Sequence, residues 1–281
     1  MIEFTRVTKQ YGVATALDAI DLTLADSGIY CLLGRNGAGK TTFLKLLAGH
    51  IAATRGRIMV DNWRVSPSHM PANVAFIQND AVQFNLTVRD LIATAADLQS
   101  EFDQDFAQEM VRHFHLDPAK RYKQLSFGMK TMLTTIIILS NNGDVVLLDE
   151  PTLGFDAIMR DQFNTLLLES YQAHPRIIIV STHQIDEIAK VAQQLVVIDR
   201  GKIVLHSAVD EIDERAYTIS GATTVVEPLL CDLTVLSRMN AGALMSAAVF
   251  DHRITVPEGV HIDRLGLQDF FIKLVGGENH D

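Results

Sequence analysis

The chain has few cysteines, few cations relative to its acids, and no long apolar run. Two cysteines in 281 residues cannot build a disulfide framework. Cys31 lies in the apolar run "IYCLL", which reads as a buried thiol suited to a reducing cytoplasm. Its 24 lysines and arginines are outnumbered by 34 aspartates and glutamates, a formal net charge of −10. Such a surface repels phosphate backbones. The densest basic patch, "AKRYK" at 119–123, has no interleaved aromatics beyond one tyrosine, so nucleic acid is not an expected partner. The longest apolar stretch, "TTIIILS", is far short of the ~18 residues that a membrane span needs. The start, "MIEFTRVTKQYG", carries no apolar core behind basic residues, so no export signal is expected. Internal repeats and low-complexity tracts are also missing. What remains is a globular composition, 48% hydrophobic and 21% charged. The length suits one large α/β domain with an appendage, or two modest domains.

The most informative segment is "IYCLLGRNGAGKTTFLKLLAGH". A buried strand, Ile29 to Leu33, leads into Gly34-Arg35-Asn36-Gly37-Ala38-Gly39-Lys40-Thr41-Thr42, then into an apolar helix that Gly49 can end. This is the full G-x-x-x-x-G-K-[ST] pattern in its strand–loop–helix setting. Its glycines let backbone amides point inward at phosphate oxygens, and the helix N-terminus adds partial positive charge. Lys40 is then expected on the β- and γ-phosphates and the Thr41 hydroxyl on Mg²⁺.

A second apolar strand, Val145 to Leu148, ends in two acids. Asp149 can hold Mg²⁺ through water. Glu150, expected on the opposite side of the strand register, can polarise an attacking water. A third strand, in "RIIIVSTHQIDEI", places His183 just past its end and ahead of an amphipathic helix. Ser126, in "YKQLSFGMKTML", reads as the N-cap of an apolar helix whose first turn contains Gly128, a residue costing ~1 kcal/mol there relative to Ala.

Elsewhere, "IEFTRVT" and "LDAIDLTL" alternate as antiparallel strands around "KQYGVAT", and "GRIMV" and "NVAFIQ" add strands around Trp63. From Thr87 the pattern turns helical: Thr87 and Asp90 form a capping-box start, and "FDQDFAQEMVRHFHL" is amphipathic. "QLVVIDRGKIVLHS" reads as a hairpin. Beyond it, "YTISGATTVVEPLLCDLTVLSR", "AGALMSAAVF" and "RITVPEGVHI" suggest strand, helix and strand, and "LGLQDFFIKLVGG" a closing helix.

Taken in order, these motifs resemble the ATPase subunit of an ABC transporter over roughly residues 1 to 205. "GRNGAGKTT" matches the Walker A loop, "AFIQND" contains the Q-loop glutamine Gln78, and "LSFGM" stands where the signature belongs. "VVLLDE" matches Walker B, "LGFD" the D-loop with Asp156, and "STH" the switch histidine His183. Tyr11 stands where the family stacks an aromatic on adenine. The resemblance implies a P-loop NTPase (RecA-like) α/β core with an antiparallel β subdomain and a helical insert at about 85–140. The cassette would fill 1–207, and 208–281 would be a small α/β accessory or regulatory extension. It implies ATP and Mg²⁺ as cofactors, with Thr41, Gln78 and Asp149 at the metal. Ser126 and Gly128 would cap the γ-phosphate of a nucleotide held by a second, head-to-tail chain.

The partners implied are a transmembrane permease and a second ATPase subunit, identical or different, at the cytoplasmic face of the membrane. Phe127 and Met129 depart from the family's Leu-Ser-Gly-Gly-Gln, and Phe127 is expected to keep an ordinary helical or extended backbone. The Gly-Met-Lys variant resembles exporter-type subunits of antibiotic and peptide resistance systems. The alternative is a soluble ABC-type ATPase acting on the ribosome or DNA; one cassette and a short insert without sustained heptads favour transport.

Overall fold

The computed structural model describes residues 1–78, 84–183 and 185–276, which fall into two compact units, Met1–His206 and Ser207–Asp281. The first opens with a hairpin of β1 (Ile2–Tyr11) and β2 (Ala14–Leu24), followed by β3 (Gly28–Leu33) and α1 (Lys40–Leu47). Then come β4 (Arg55–Val60), β5 (Trp63–Arg64) and β6 (Val74–Gln78). The helical insert is α2 (Val88–Leu98), α3 (Gln104–His113) and α4 (Phe127–Leu139). The unit closes with β7 (Val145–Asp149), α5 (Ala157–Ala173), β8 (Ile177–Thr182), the short α6 (Ile185–Ile188), β9 (Gln194–Asp199) and β10 (Lys202–Ala208), whose last residues enter the second unit.

Two sheets divide the strands by pattern. The alternating strands form an antiparallel sheet of order β2-β1-β4-β5. The continuously apolar ones, β3, β7 and β8, are interior strands of a six-stranded sheet of order β10-β9-β3-β8-β7-β6. Its β9, β3, β8, β7 and β6 run parallel. Every residue of β3, β7 and β8 is buried, as strands covered on both faces require.

Helix α1 lies in the core between the two sheets. Phe43, Leu44 and Leu47 join Ile2, Phe4 and Leu22 of the antiparallel sheet and Leu32, Leu147 and Ile179 of the parallel one. Phe4 and Phe43 stack with centroids 4.4 Å apart. Burying each such side chain contributes roughly 1.5–3 kcal/mol, so the helix is fixed in place independently of any ligand. It ends in a Schellman motif, with the Gly49 amide donating to Leu46 O and the His50 amide to Lys45 O.

The insert follows its caps. Thr87 and Asp90 form a reciprocal capping box on α2, Asp103 caps α3 through the Phe106 amide, and Ser126 caps α4. Phe127 is the first residue of α4 and has no positive φ, as expected of an aromatic there.

The second unit contains α7 (Val209–Arg215), β11 (Ala216–Ala222), α8 (Thr223–Leu229), β12 (Val235–Ala241), β13 (Leu244–Phe250), β14 (His261–Arg264) and α9 (Leu267–Gly276). Its antiparallel sheet, of order β12-β13-β11-β14, has its own core around Tyr217, Ile219, Val226 and Val249. "AGALMSAAVF" is therefore strand β13 and not a helix. Pairing with β11 on one side and β12 on the other overrides the helix preference of its alanines. The first segment of this extension is likewise strand, helix and strand in succession. Helix α7 had no sequence expectation, whereas α9 lies where a closing helix was expected.

Candidate functional site: a phosphate cradle and its acids

The Gly34–Thr42 loop joins the C-terminal end of β3 to α1, the place where open parallel sheets hold ligands. Gly39 is the N-cap of α1 with a φ of 113°. A Cβ there would fall 2.6 Å from Ala16 O and 2.7 Å from Leu17 Cδ2, so no other residue fits this turn. The loop closes on itself and on its surroundings: the Ala38 amide donates to Arg35 O, and Ala38 O accepts from the Gly201 amide. Gly37, with a φ of 80°, has nothing within 4 Å of where a Cβ would stand, so the crown of the loop is open. Asn36 and Arg35 precede that opening, and Thr42 lies in the first turn of α1.

Below the crown the chemistry-bearing side chains converge. Lys40 is buried, and its Nζ donates to Gly34 O at 2.7 Å and lies 3.7 Å from Glu150 Oε1. The Thr41 hydroxyl donates to Asp149 Oδ2 at 2.7 Å, and the Ser181 hydroxyl donates to Asp149 Oδ1 at 2.6 Å. The Asp149 carboxylate, buried at the end of β7, is thus held at both oxygens.

Glu150 departs from the expected strand alternation. The strand ends at Asp149, and Glu150 has a φ of 48°, a strained region for a side chain of its size. Its amide donates to the Ser181 carbonyl and lies 3.1 Å from the Ser181 hydroxyl. The resulting turn brings its carboxylate towards Lys40, with Oε2 2.9 Å from His183 Nδ1. His183, about half exposed, follows β8 directly.

The remaining site candidates lie elsewhere. Tyr11 is exposed near the tip of the β1–β2 hairpin, with Lys9 Nζ 4.9 Å from its ring centroid. Gln78 ends β6 in register with Asp149, but its side chain lies outside the described residues, as do residues 79–83. Ser126, Gly128 and Asp156 form a second cluster. Ser126 Oγ accepts from the Met129 amide, Asp156 Oδ1 accepts from the Met159 amide, and Met159 lies over Gly128. Gly128 is buried, and a Cβ there would press on the flexible end of the Met159 side chain.

The family described as "ABC transporter" matches residues 17–153. The taurine import ATP-binding protein TauB of Escherichia coli is 32% identical over 206 residues, covering 72% of this chain and 80% of that protein. The chain belongs to the ABC transporter ATP-binding proteins. The ATP-binding protein YtrB of Bacillus subtilis is 27% identical over 225 residues, covering 79% of this chain and 77% of that one. Among solved structures, an ATP-binding subunit of an ABC transporter superposes with a TM-score of 0.67 at 22% identity, covering 75% of this chain and 91% of that one. A dimeric post-hydrolysis cassette bound to ADP and Pi superposes at 0.64 and 18%, covering 74% and 99%. The fold is that of the P-loop cassette.

As a member of this family the chain is the ATP-binding ATPase subunit of an ABC transporter. Its donor set suits Mg²⁺: one threonine hydroxyl beside one buried carboxylate, both oxygen ligands, with phosphate and water left to complete the shell. Among the described residues no group of three or more His, Cys, Asp or Glu is placed to hold a metal by itself. Sequence reasoning passed over Ser181, which holds both Asp149 and Glu150. In the sequence it is marked only as the first of two polar residues that end an otherwise apolar strand.

Proposed function

We propose that this subunit binds MgATP in its own cradle and hydrolyses it while the mouth of α4 from a second chain covers the γ-phosphate, closure of the two chains driving a permease. One observation carries the reading: Lys40, Thr41, Asp149, Glu150, Ser181 and His183 meet at the carboxyl ends of three adjacent parallel strands.

In this reading the Gly34–Thr42 loop wraps the phosphates and Tyr11 stacks on the adenine. Lys40 exchanges its bond to Gly34 O for the β- and γ-phosphates. Thr41, Asp149 and Gln78 would hold Mg²⁺, which when bound neutralises charge on the β- and γ-oxygens. Glu150 takes a proton from the attacking water as the water oxygen bonds to the γ-phosphorus and the bond from that phosphorus to the bridging oxygen breaks, ADP being the leaving group; His183 holds the Glu150 carboxylate in line. The product phosphate leaves as the two chains part. Ser126 offers its hydroxyl, and the first turn of α4 its amides, to the partner's nucleotide; Asp156 sits at the same seam.

Among the described residues no helix is long and apolar enough to cross a membrane, so in this reading the subunit works on the cytoplasmic face through a permease. The direction is export, supported by the Gly128-Met129-Lys130 variant of the signature. The Ser207–Asp281 unit serves as an accessory or regulatory piece.

The test is sedimentation of Glu150→Gln with MgATP. A dimer that dissociates when Mg²⁺ is chelated is expected, and a monomer under both conditions refutes the two-chain site. With the cognate permease in inverted vesicles, ATP-dependent uptake into the lumen is expected of an exporter; depletion of preloaded substrate would reverse the direction.

A further inference from the structure

Phe127 has no part in the chemistry above and none in the core, since 53% of its surface is exposed. Its ring nevertheless packs on Gly154. Gly154 has a φ of 81°, and a Cβ there would fall 2.6 Å from Phe127 Cδ1 and 2.8 Å from Cε1. The ring therefore lies against the bare Gly154 Cα. The next residue returns the contact: a Cβ on Gly128 would stand 3.0 Å from both Sδ and Cε of Met159 and 3.6 Å from Gly154 O. Each segment thus covers a glycine of the other with a large side chain. Both partners are anchored, because Ser126 caps α4 and Asp156 caps α5.

From Gly154 the chain runs back to Glu150 with little slack. The Leu153 amide donates to Glu150 O and the Phe155 amide to Thr152 O, making two successive turns. Phe155 is buried with its ring 6.2 Å from that of Phe163, and the Glu150 amide is tied to Ser181. The mouth of α4 is thus connected through Gly154 and two short turns to the loop that carries the Glu150 carboxylate.

We propose that Phe127 is a positioning residue for Glu150: its ring on Gly154 joins the signature mouth to the loop bearing the carboxylate. Seating Ser126 on one nucleotide and aligning Glu150 over the other become a single event. The proposal rests on the two-chain reading above, and it gives the aromatic departure from the family's signature a task that a small residue could not perform.

The experiment compares Phe127→Ala and Phe127→Tyr with the unaltered full chain. It measures affinity for a fluorescent ATP analogue, kcat, the Hill coefficient for ATP, and the melting temperature. Phe127→Ala is expected to bind nucleotide within about twofold of the unaltered chain and to melt with it. Its kcat should fall about tenfold or more, the scale of a misplaced catalytic group, and its Hill coefficient should drop towards 1. Phe127→Tyr keeps the ring face and should keep both values. Unchanged kcat and Hill coefficient in Phe127→Ala would overturn the proposal, as would a loss that tracks falling affinity or melting temperature. If Glu150→Gln dimerises with MgATP while Phe127→Ala turns over normally, this inference alone fails. If Glu150→Gln never dimerises, the two-chain reading fails and takes the inference with it.

Discussion

Glu150 Oε2 and His183 Nδ1 lie 2.9 Å apart, joining a residue just past β7 to one just past β8. The contact holds a carboxylate that its strained backbone has already turned towards Lys40. Glu150→Gln keeps the shape and removes the carboxylate proposed above as the base. It should retain ATP and lower single-turnover hydrolysis by about 10²-fold or more. His183→Ala should slow the same step while nucleotide affinity holds. Single-turnover hydrolysis of labelled ATP checks both, and unchanged turnover in Glu150→Gln would move the base elsewhere.

Lys40 is the buried cation of the cradle, donating to Gly34 O at 2.7 Å. Replacing that bond with bonds to phosphate oxygens is what the loop geometry allows. Lys40→Ala removes the charge and leaves the fold, since α1 is held by its apolar face. ATP affinity should fall at least about tenfold, the weight of one to two charge-assisted hydrogen bonds, and turnover should vanish. Equilibrium binding and steady-state hydrolysis measure the two effects, and normal hydrolysis would refute the cradle assignment.

The Gly34–Thr42 loop and the strand end carrying Asp149 and Glu150 were legible in the sequence because each sits where an apolar run meets a short motif, and the run itself declares the strand. The contacts around the signature were not. Phe127 meets Gly154, and Met159 meets Gly128, only because α4 and α5 lie side by side, which no local pattern records. Glu150 is a similar case: alternation assigned it a face, and a positive φ after the last strand residue overrode that assignment. In the second unit, alanines that favour a helix in isolation sit in β13 because two neighbouring strands pair with it. Arg176, at the head of "RIIIVSTHQIDEI", carried no expectation of its own, and it is buried.

That arginine supports a stability prediction. Its Nη2 donates to Leu139 O and Ser170 Oγ at 2.7 Å each, tying α4, α5 and the start of β8 together. Burial lowers its pKa to about 10, within the range where it stays charged at neutral pH. Arg176→Met keeps volume and removes these donors, and should cost about 1–3 kcal/mol. Trp63, the chain's one tryptophan, lies in the first unit, so its fluorescence during urea unfolding reports the change.

Acid should act on the second unit through Asp251. Its carboxylate accepts from the Thr234 amide, His252 Nδ1, the His252 amide and the Thr234 hydroxyl, and these bonds hold its pKa below the ordinary carboxylate value. A depressed folded pKa stabilises above the unfolded value of about 3.9 and is lost as pH falls through the folded one. The urea midpoint followed on Val249 methyl NMR signals should therefore drop between about pH 5 and pH 3. Asp251→Asn should start lower and lose less over that interval; an equal drop would assign the acid sensitivity to another group.

Ser181 carries the last prediction. Its hydroxyl donates to Asp149 Oδ1 at 2.6 Å, its carbonyl accepts the Glu150 amide, and its side chain is fully buried. Ser181→Ala leaves the carbonyl in place, so Glu150 keeps its backbone anchor. Asp149 keeps the Thr41 hydroxyl on one oxygen but loses its donor on the other, which should cost about 1–3 kcal/mol of stability. With one oxygen released, the carboxylate can rotate away from Thr41, and in the proposed metal role its oxygens would lose their alignment for Mg²⁺. The Mg²⁺ concentration for half-maximal hydrolysis should rise several-fold while nucleotide affinity in EDTA stays unchanged. Titrating Mg²⁺ at saturating ATP measures the first and a fluorescent-nucleotide titration the second. If the Mg²⁺ dependence does not move, Ser181 supports the strand end alone and has no part in holding Asp149 for the metal.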